Sequence, residues 1–119
     1  MVMFKPLSKY GNAFRGIRIA FANSHTRLHF IMFLVAVALG RIFQISPGEW
    51  AAVLLSGALV LCLEIMNTAL EFLADHLHPE RHPAIRNVRD MAAGAVLFGE
   101  IVAVSMGVVV FSPYFQKLF

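Results

Sequence analysis

Charge is scarce in this chain: only 14% of its 119 residues are Asp, Glu, Lys or Arg, where a soluble domain averages roughly 25%. With 59% hydrophobic residues and a mean hydropathy of +0.72, too little polar surface is left for a water-soluble fold of this length. Cysteine is nearly absent as well. Cys62 stands alone, which excludes an internal disulfide framework and leaves it a small residue of a helix core or lipid face. The chain has no G-x-x-x-x-G-K-S/T loop, no G-x-G-x-x-G after a strand and no G-x-S-x-G elbow; any nucleotide must therefore be held without a Walker loop. No basic patch interleaved with aromatics is present, which excludes the usual signature of nucleic-acid binding. Without repeats, linkers or low-complexity tracts, residues 1–119 read as a single membrane domain.

Long apolar runs are what the chain does have. Phe30 to Leu39, Trp50 to Leu63 and Met91 to Phe111 are interrupted mainly by Gly, Ser and isolated acids. A bilayer crossing needs about 20 mostly apolar residues, and with their flanks the runs approach or exceed that length at 28–44, 49–77 and 87–112. They predict an all-α integral membrane protein with three transmembrane helices. The first relies on His29 and Arg41 reaching toward the interfaces. The second is long enough to project its charged end beyond the hydrocarbon, and the third ends before Pro113. Between the first two, Ser46 is placed to cap the helix that Pro47 opens, and Trp50 suits the outer interface.

Basic residues set the expected orientation. Lys5, Lys9, Arg15, Arg18 and Arg27 precede the first crossing and Arg81, Arg86 and Arg89 fill the second loop, so eight of the ten lie on one side. The N-terminus and the second loop are expected to be cytoplasmic, which in a bacterium means a multi-pass protein of the inner membrane. The net charge of +3 is accounted for by topology and attraction to the lipid surface. Leu7, Tyr10, Phe14, Ile17 and Phe21 recur at steps of three and four with Lys9, Arg15 and Arg18 off that line. That spacing predicts an amphipathic surface helix over residues 6–23. The first 27 residues lack a compact apolar run with a small-residue cleavage site, so this segment is expected to be retained.

Within the second run, Glu64, Asn67, Glu71 and Asp75 follow one another at steps of three, four and four, which on a helix stacks them on one face. Carboxylates among lipid tails are costly, so they are expected to face protein, water or an ion. The short second loop makes the next helix an antiparallel neighbour, bringing Arg89 and Asp90 close. Hard carboxylate oxygens suit Mg²⁺, and the Arg89 guanidinium suits a phosphate. Glu64, the deepest acid, is placed to take a proton from a lipid hydroxyl while a phosphoryl group arrives from the cytoplasmic side. The bland alternative is an ion-pair network that locks helices together. The pair His76 and His78 lacks helical ligand spacing for zinc. Glu100, in the third run, fits either a helix-to-helix hydrogen bond or a lipid-headgroup contact.

The segments Glu64-Ile65-Met66-Asn67-Thr68-Ala69-Leu70-Glu71, Pro79-Glu80-Arg81-His82-Pro83 and Arg89-Asp90-Met91-Ala92-Ala93-Gly94-Ala95-Val96, with Asp75 between the first two, resemble the signature of the prokaryotic diacylglycerol kinase family, which includes the undecaprenol kinases. The resemblance implies a homotrimer with active sites shared between protomers, and transfer of the ATP γ-phosphoryl group to a lipid hydroxyl, undecaprenol or diacylglycerol, with Mg²⁺. It implies Glu64 as catalytic base, Glu71 as magnesium ligand and Asn67 as an organiser of that site. Asp75, Glu80 and His82 match positions on the nucleotide side, Asp90 matches a nucleotide-contacting aspartate, and Arg89 takes the place of the usual Lys. The text around His82-Pro83 and Ala92 to Val96 is slightly nearer the undecaprenol-kinase branch.

Three departures accompany the likeness. Arg89 offers phosphate a planar fork where the family has a point charge. Ahead of the matching Arg27-Leu28-His29 element, the metal-binding Glu of the family is replaced by Asn23 or Ser24, depending on a one-residue gap. Asn12 stands where relatives carry Tyr. A catalytically weakened relative, serving as a lipid-binding or assembly partner in the membrane, is the alternative that these changes leave open.

Overall fold

The computed structural model describes residues 6–77 and 82–119, which form four α-helices and no strand. They are α1 (Pro6–Ala20), α2 (Ser24–Phe43), α3 (Pro47–Leu77) and α4 (Pro83–Leu118). The last three are long and apolar enough to cross a membrane. They start earlier than the expected crossings, and α4 continues through Pro113 to Leu118, although its crossing was expected to stop short of that proline.

Each break has a local cause. Asn23 ends the α1–α2 elbow in an extended conformation and caps α2, its side chain accepting from the His25 N–H at 2.8 Å. Arg27 turns back and donates to the Phe21 and Ala22 carbonyls, both at 3.3 Å, satisfying acceptors left over at the end of α1. Phe21 and Phe30 pack edge to face across the elbow at 5.1 Å. At the far end of α2, Gln44 adopts φ 53°, and the Ile45 N–H returns to the Gly40 carbonyl at 3.2 Å, the wrapping that closes many helices. Ser46 and Glu49 then form a reciprocal capping box, each side chain accepting from the other's backbone N–H at 3.2 and 2.9 Å. His82 caps α4 by accepting from the Ala84 N–H at 3.1 Å, with Pro83 in the first turn.

The α3–α4 hairpin is the principal packing unit, with α2 laid against α3 and α1 touching α3. Asp75 and Arg89 are equidistant from His82 in sequence and pair across the hairpin. Glu64 and Glu100 are likewise equidistant, and Glu49 and Tyr114 nearly so; the Tyr114 hydroxyl donates to Glu49 at 2.6 Å. The bundle is closed at the Glu49 end by Ile45, Val53, Val110 and Phe111, with Phe43 against Phe111, Tyr114 and Phe115. Large apolar side chains such as Ile42, Leu55, Phe98 and Val109 remain exposed on the three long helices, as a surface solvated by lipid or by further chains demands. On α1, Tyr10, Phe14 and Ile17 are also exposed.

Two glycines set the helix separations. A Cβ on Gly57 would fall 2.1 Å from the Phe33 ring of α2, and one on Gly99 would fall 2.7 Å from Leu63 of α3. Gly57→Ala should therefore force α2 and α3 apart and lower stability by about 1–3 kcal/mol, measured as a fall in the thermal midpoint of the detergent-solubilised protein.

Candidate active site

The stripe on α3 divides between two environments. Its upper part, Glu64, Asn67 and Glu71, lines a cavity of about 230 Å³ together with Asn23, His25 and His29 of α2 and Ala93, Val96, Leu97 and Glu100 of α4. Glu64 is 5% exposed. Helical geometry aims it inward: Glu64 and Val60, one turn apart, are both buried on the face that meets α4. His29 Nε2 lies 3.6 Å from a Glu64 carboxylate oxygen and 2.9 Å from one on Glu100. Glu100, which the sequence left between two alternatives, is thus engaged helix to helix. The three groups come from three different helices and converge within 4.8 Å.

One and two turns further along α3, Asn67 donates through Nδ2 to Glu71 at 3.3 Å, while its Oδ1 is buried without a hydrogen-bond partner. A carboxylate and an orphaned amide oxygen side by side are hard oxygen ligands, a donor set whose chemistry fits a magnesium ion. Of the two residues that could stand in place of the family's Glu, Ser24 is exposed and Asn23 lines the cavity. Its oxygen caps α2, and its Nδ2 donates to Thr68 at 3.4 Å. Thr68 in turn donates to the Glu64 carbonyl at 2.9 Å.

The lower part of the stripe is open to solvent. Asp75 is exposed and accepts from Arg89 of α4. Asp90 faces away from that pair, 72% exposed at the side chain and 3.9 Å from Arg86 one turn earlier. His82 sits at the N-terminus of α4 as its cap. Glu80 lies outside the described residues. Within one chain, then, Glu64, Asn67 and Glu71 share a cavity, Asp75 and Arg89 form a second group at its cytoplasm-side margin by the expected topology, and Asp90 stands apart on the outer face of α4.

Two residues of the cavity were not read as part of the site from the sequence. His29 reads from the sequence only as an interface-reaching residue of the Arg27-Leu28-His29 element, and Glu100 has no role there; the approach of α2 brings in the first, and the hairpin places the second opposite Glu64. Equal spacing from the His82 break is the signal that pairs them. A second, mostly apolar cavity of about 470 Å³ runs between α2, α3 and α4, lined by Phe33, Val60, Val104 and Phe111 among others. His25, His29 and Glu100 border both cavities, so a polar cleft opens directly beside a lipid-compatible groove.

Comparison with known proteins bears on this arrangement. The family described as Prokaryotic diacylglycerol kinase matches residues 11–111. Undecaprenol kinase of Bacillus subtilis (strain 168) is 31% identical over 74 residues, 62% of this chain and 60% of that protein. Diacylglycerol kinase of Synechocystis sp. is 31% identical over 103 residues, 85% of this chain and 59% of that protein. Diacylglycerol kinase of Escherichia coli (strain K12) is 30% identical over 95 residues, 79% of this chain and 78% of that protein. The chain thus spans about three-fifths of the length of the first two.

Because Asn23 is a helix cap, its replacement by a longer acid would disturb the elbow, but Asp caps as well as Asn does. N23D should keep α2 intact, add a charged ligand to the cavity and tighten divalent-cation binding by about tenfold, read as free Mn²⁺ by electron paramagnetic resonance in a titration of the purified protein.

Proposed function

This chain belongs to the prokaryotic diacylglycerol kinase family, and from that premise we propose that it is a membrane lipid kinase, transferring the γ-phosphoryl group of ATP to the hydroxyl of a lipid alcohol, undecaprenol or diacylglycerol, with Mg²⁺. The observation that carries this reading is the buried Glu64 carboxylate in a polar cleft that adjoins an apolar groove. A hydroxyl anchored by lipid chains would meet a proton acceptor there, with a polyphosphate arriving from the Asp75 and Arg89 side.

Phosphoryl transfer asks the protein mainly for positioning and charge neutralisation. Glu64 takes the hydroxyl proton on a carboxylate oxygen as the lipid oxygen bonds to the γ-phosphorus. The bond from that phosphorus to the β–γ bridging oxygen breaks, and ADP leaves with the electron pair. Glu71 and the free Oδ1 of Asn67 would hold Mg²⁺, which when bound supplies positive charge against the phosphates. Arg89, which donates to Asp75, has a guanidinium fork able to exchange that carboxylate for phosphate oxygens. Asp75, Glu80, His82 and Asp90 are assigned to the nucleotide side.

Membership of the family and three long apolar helices make this a multi-pass membrane protein. We place the N-terminus and the α3–α4 loop in the cytoplasm, where ATP is supplied and where most basic residues lie. The cell membrane of a bacterium is the corresponding location. A homotrimer with shared sites accounts for the exposed apolar faces and for Asp90, whose carboxylate in a single chain faces outward.

A second reading, a catalytically weakened relative that binds lipid or supports assembly, is favoured by one observation: Asn23 occupies the cavity wall without offering charge. ATP-dependent thermal stabilisation with and without Mg²⁺ separates the two, since a kinase should be stabilised and the partner protein should not. For the kinase, incubation with ATP and a panel of lipid alcohols should yield one phosphorylated product class. E64Q should abolish turnover, by about 100-fold or more, while the thermal midpoint and oligomeric state stay those of the parent; retention of full turnover removes Glu64 from the chemistry.

A further inference from the structure

Glu100 has no task in the phosphoryl transfer outlined above, yet it stands in the middle of the apolar helix α4, where a carboxylate without a partner is costly. Its contact is with His29 at 2.9 Å, and the nitrogen concerned, Nε2, is the one that also faces Glu64, at 3.6 Å. Two carboxylates, one on α3 and one on α4, therefore face a single ring nitrogen, and the half-buried Glu100 lies at the shorter distance. The side chain of Glu64 is only 7% exposed, against 36% for Glu100. No side-chain or backbone donor makes a hydrogen bond to the Glu64 carboxylate among the described residues.

That division matters to a proton acceptor. A carboxylate already receiving an N–H bond has its charged form stabilised and is a weaker base. The groups able to act on Glu64 are Asn67 and Glu71 on its own helix, Asn23, His25 and His29 on α2, and Glu100 on α4, which all line the same cleft. Asn67 is spent on Glu71, and Asn23 on Thr68. Of the two histidines, His29 is the one whose ring nitrogen approaches a Glu64 oxygen, at 3.6 Å.

Resting on the lipid-kinase reading, we propose that Glu100 is a positioning residue that draws the His29 Nε2–H to itself and so leaves the Glu64 carboxylate open to the lipid hydroxyl. Glu100 touches neither substrate nor phosphate in this arrangement; it acts through His29. When Glu100 is removed, the imidazole swings its N–H onto Glu64, and the base is occupied before substrate arrives. An amide at position 100 retains an acceptor oxygen and preserves the arrangement.

Steady-state kinetics of the full chain in lipid nanodiscs test this, using ATP and the lipid alcohol that the wild type phosphorylates. E100A should lower kcat about tenfold with KM for ATP unchanged, as expected for partial loss of a general base. E100Q should stay within about threefold of wild type. H29F in the E100A background should recover most of the loss, because the competing donor is gone. A second measurement does not need turnover: in ¹⁵N-histidine-labelled protein, the His29 Nε2 resonance, identified by its absence in H29F, should shift in E100A. Adding E64Q should then move it strongly in the E100A background and little in the parent. Wild-type kcat in E100A, equal impairment in E100Q and E100A, failure of H29F to recover activity, or a His29 resonance indifferent to E100A each overturn the proposal. If the wild type phosphorylates no lipid alcohol, the kinase reading fails instead, and the resonance still decides whether Glu100 holds His29.

Discussion

A carboxylate buried among apolar helices has to be met by polar groups from the protein itself, and in this chain Glu64 imposes that requirement on all three long helices. Hydrocarbon offers no solvation, and at this level α2 places the His29 imidazole between the Glu64 carboxylate of α3 and the Glu100 carboxylate of α4. Once those three levels are matched, Asn67 and Glu71 fall one and two turns along the same cavity wall. Asp75 lands opposite Arg89 at the solvent-exposed margin. The depth of one acid thus organises the polar interior of the bundle.

Small local devices make that alignment possible. The α3–α4 hairpin keeps a constant antiparallel register from Asp75 and Arg89 to Glu49 and Tyr114, with Gly99 allowing Leu63 and Val60 to lie close against α4. At the other end the aromatic cluster around Phe43 ties α2 to α4. Between the two ties α2 and α4 stay apart, which leaves the apolar groove open along α3. Capping does the rest: Asn23, the Ser46–Glu49 box and His82 begin α2, α3 and α4 at defined residues. A one-residue slip along α3 would turn a different face toward its neighbours, about 100° from the stripe.

The cleft owes its chemical character to contrast. On one side lie oxygen-rich side chains able to hold a cation and accept a proton, and on the other a groove that only lipid or apolar side chains would fill. Reactants of opposite solubility, a polyphosphate and a lipid alcohol, can meet at such a boundary without either leaving its own medium. Asn23 modifies this scheme in a specific way: the position spends its polar atoms on the elbow and on Thr68, so charge on the cation side rests on Glu71.

The amino-acid sequence by itself determined the all-helical membrane class and the three apolar helices, because composition and run length state these directly. It also determined the shared face of Glu64, Asn67, Glu71 and Asp75, since helical periodicity alone aligns them, though not that Asp75 stands in the open while the other three line a cavity, and it determined the family, through a dense local signature. Residue-level partnership required the tertiary structure. His29 and Glu100 are far from Glu64 in the chain, and neither the Arg27-Leu28-His29 element nor the apolar run around Glu100 states that they meet it. Only the hairpin register and the approach of α2 bring their atoms together. That Asn23 and not Ser24 lines the cavity likewise depended on the elbow, and the reciprocal Ser46–Glu49 cap on a geometry that spacing merely permits. Periodicity fixes which residues share a face, whereas contact between faces depends on how whole helices pack, and that is a property of the bundle rather than of any one segment.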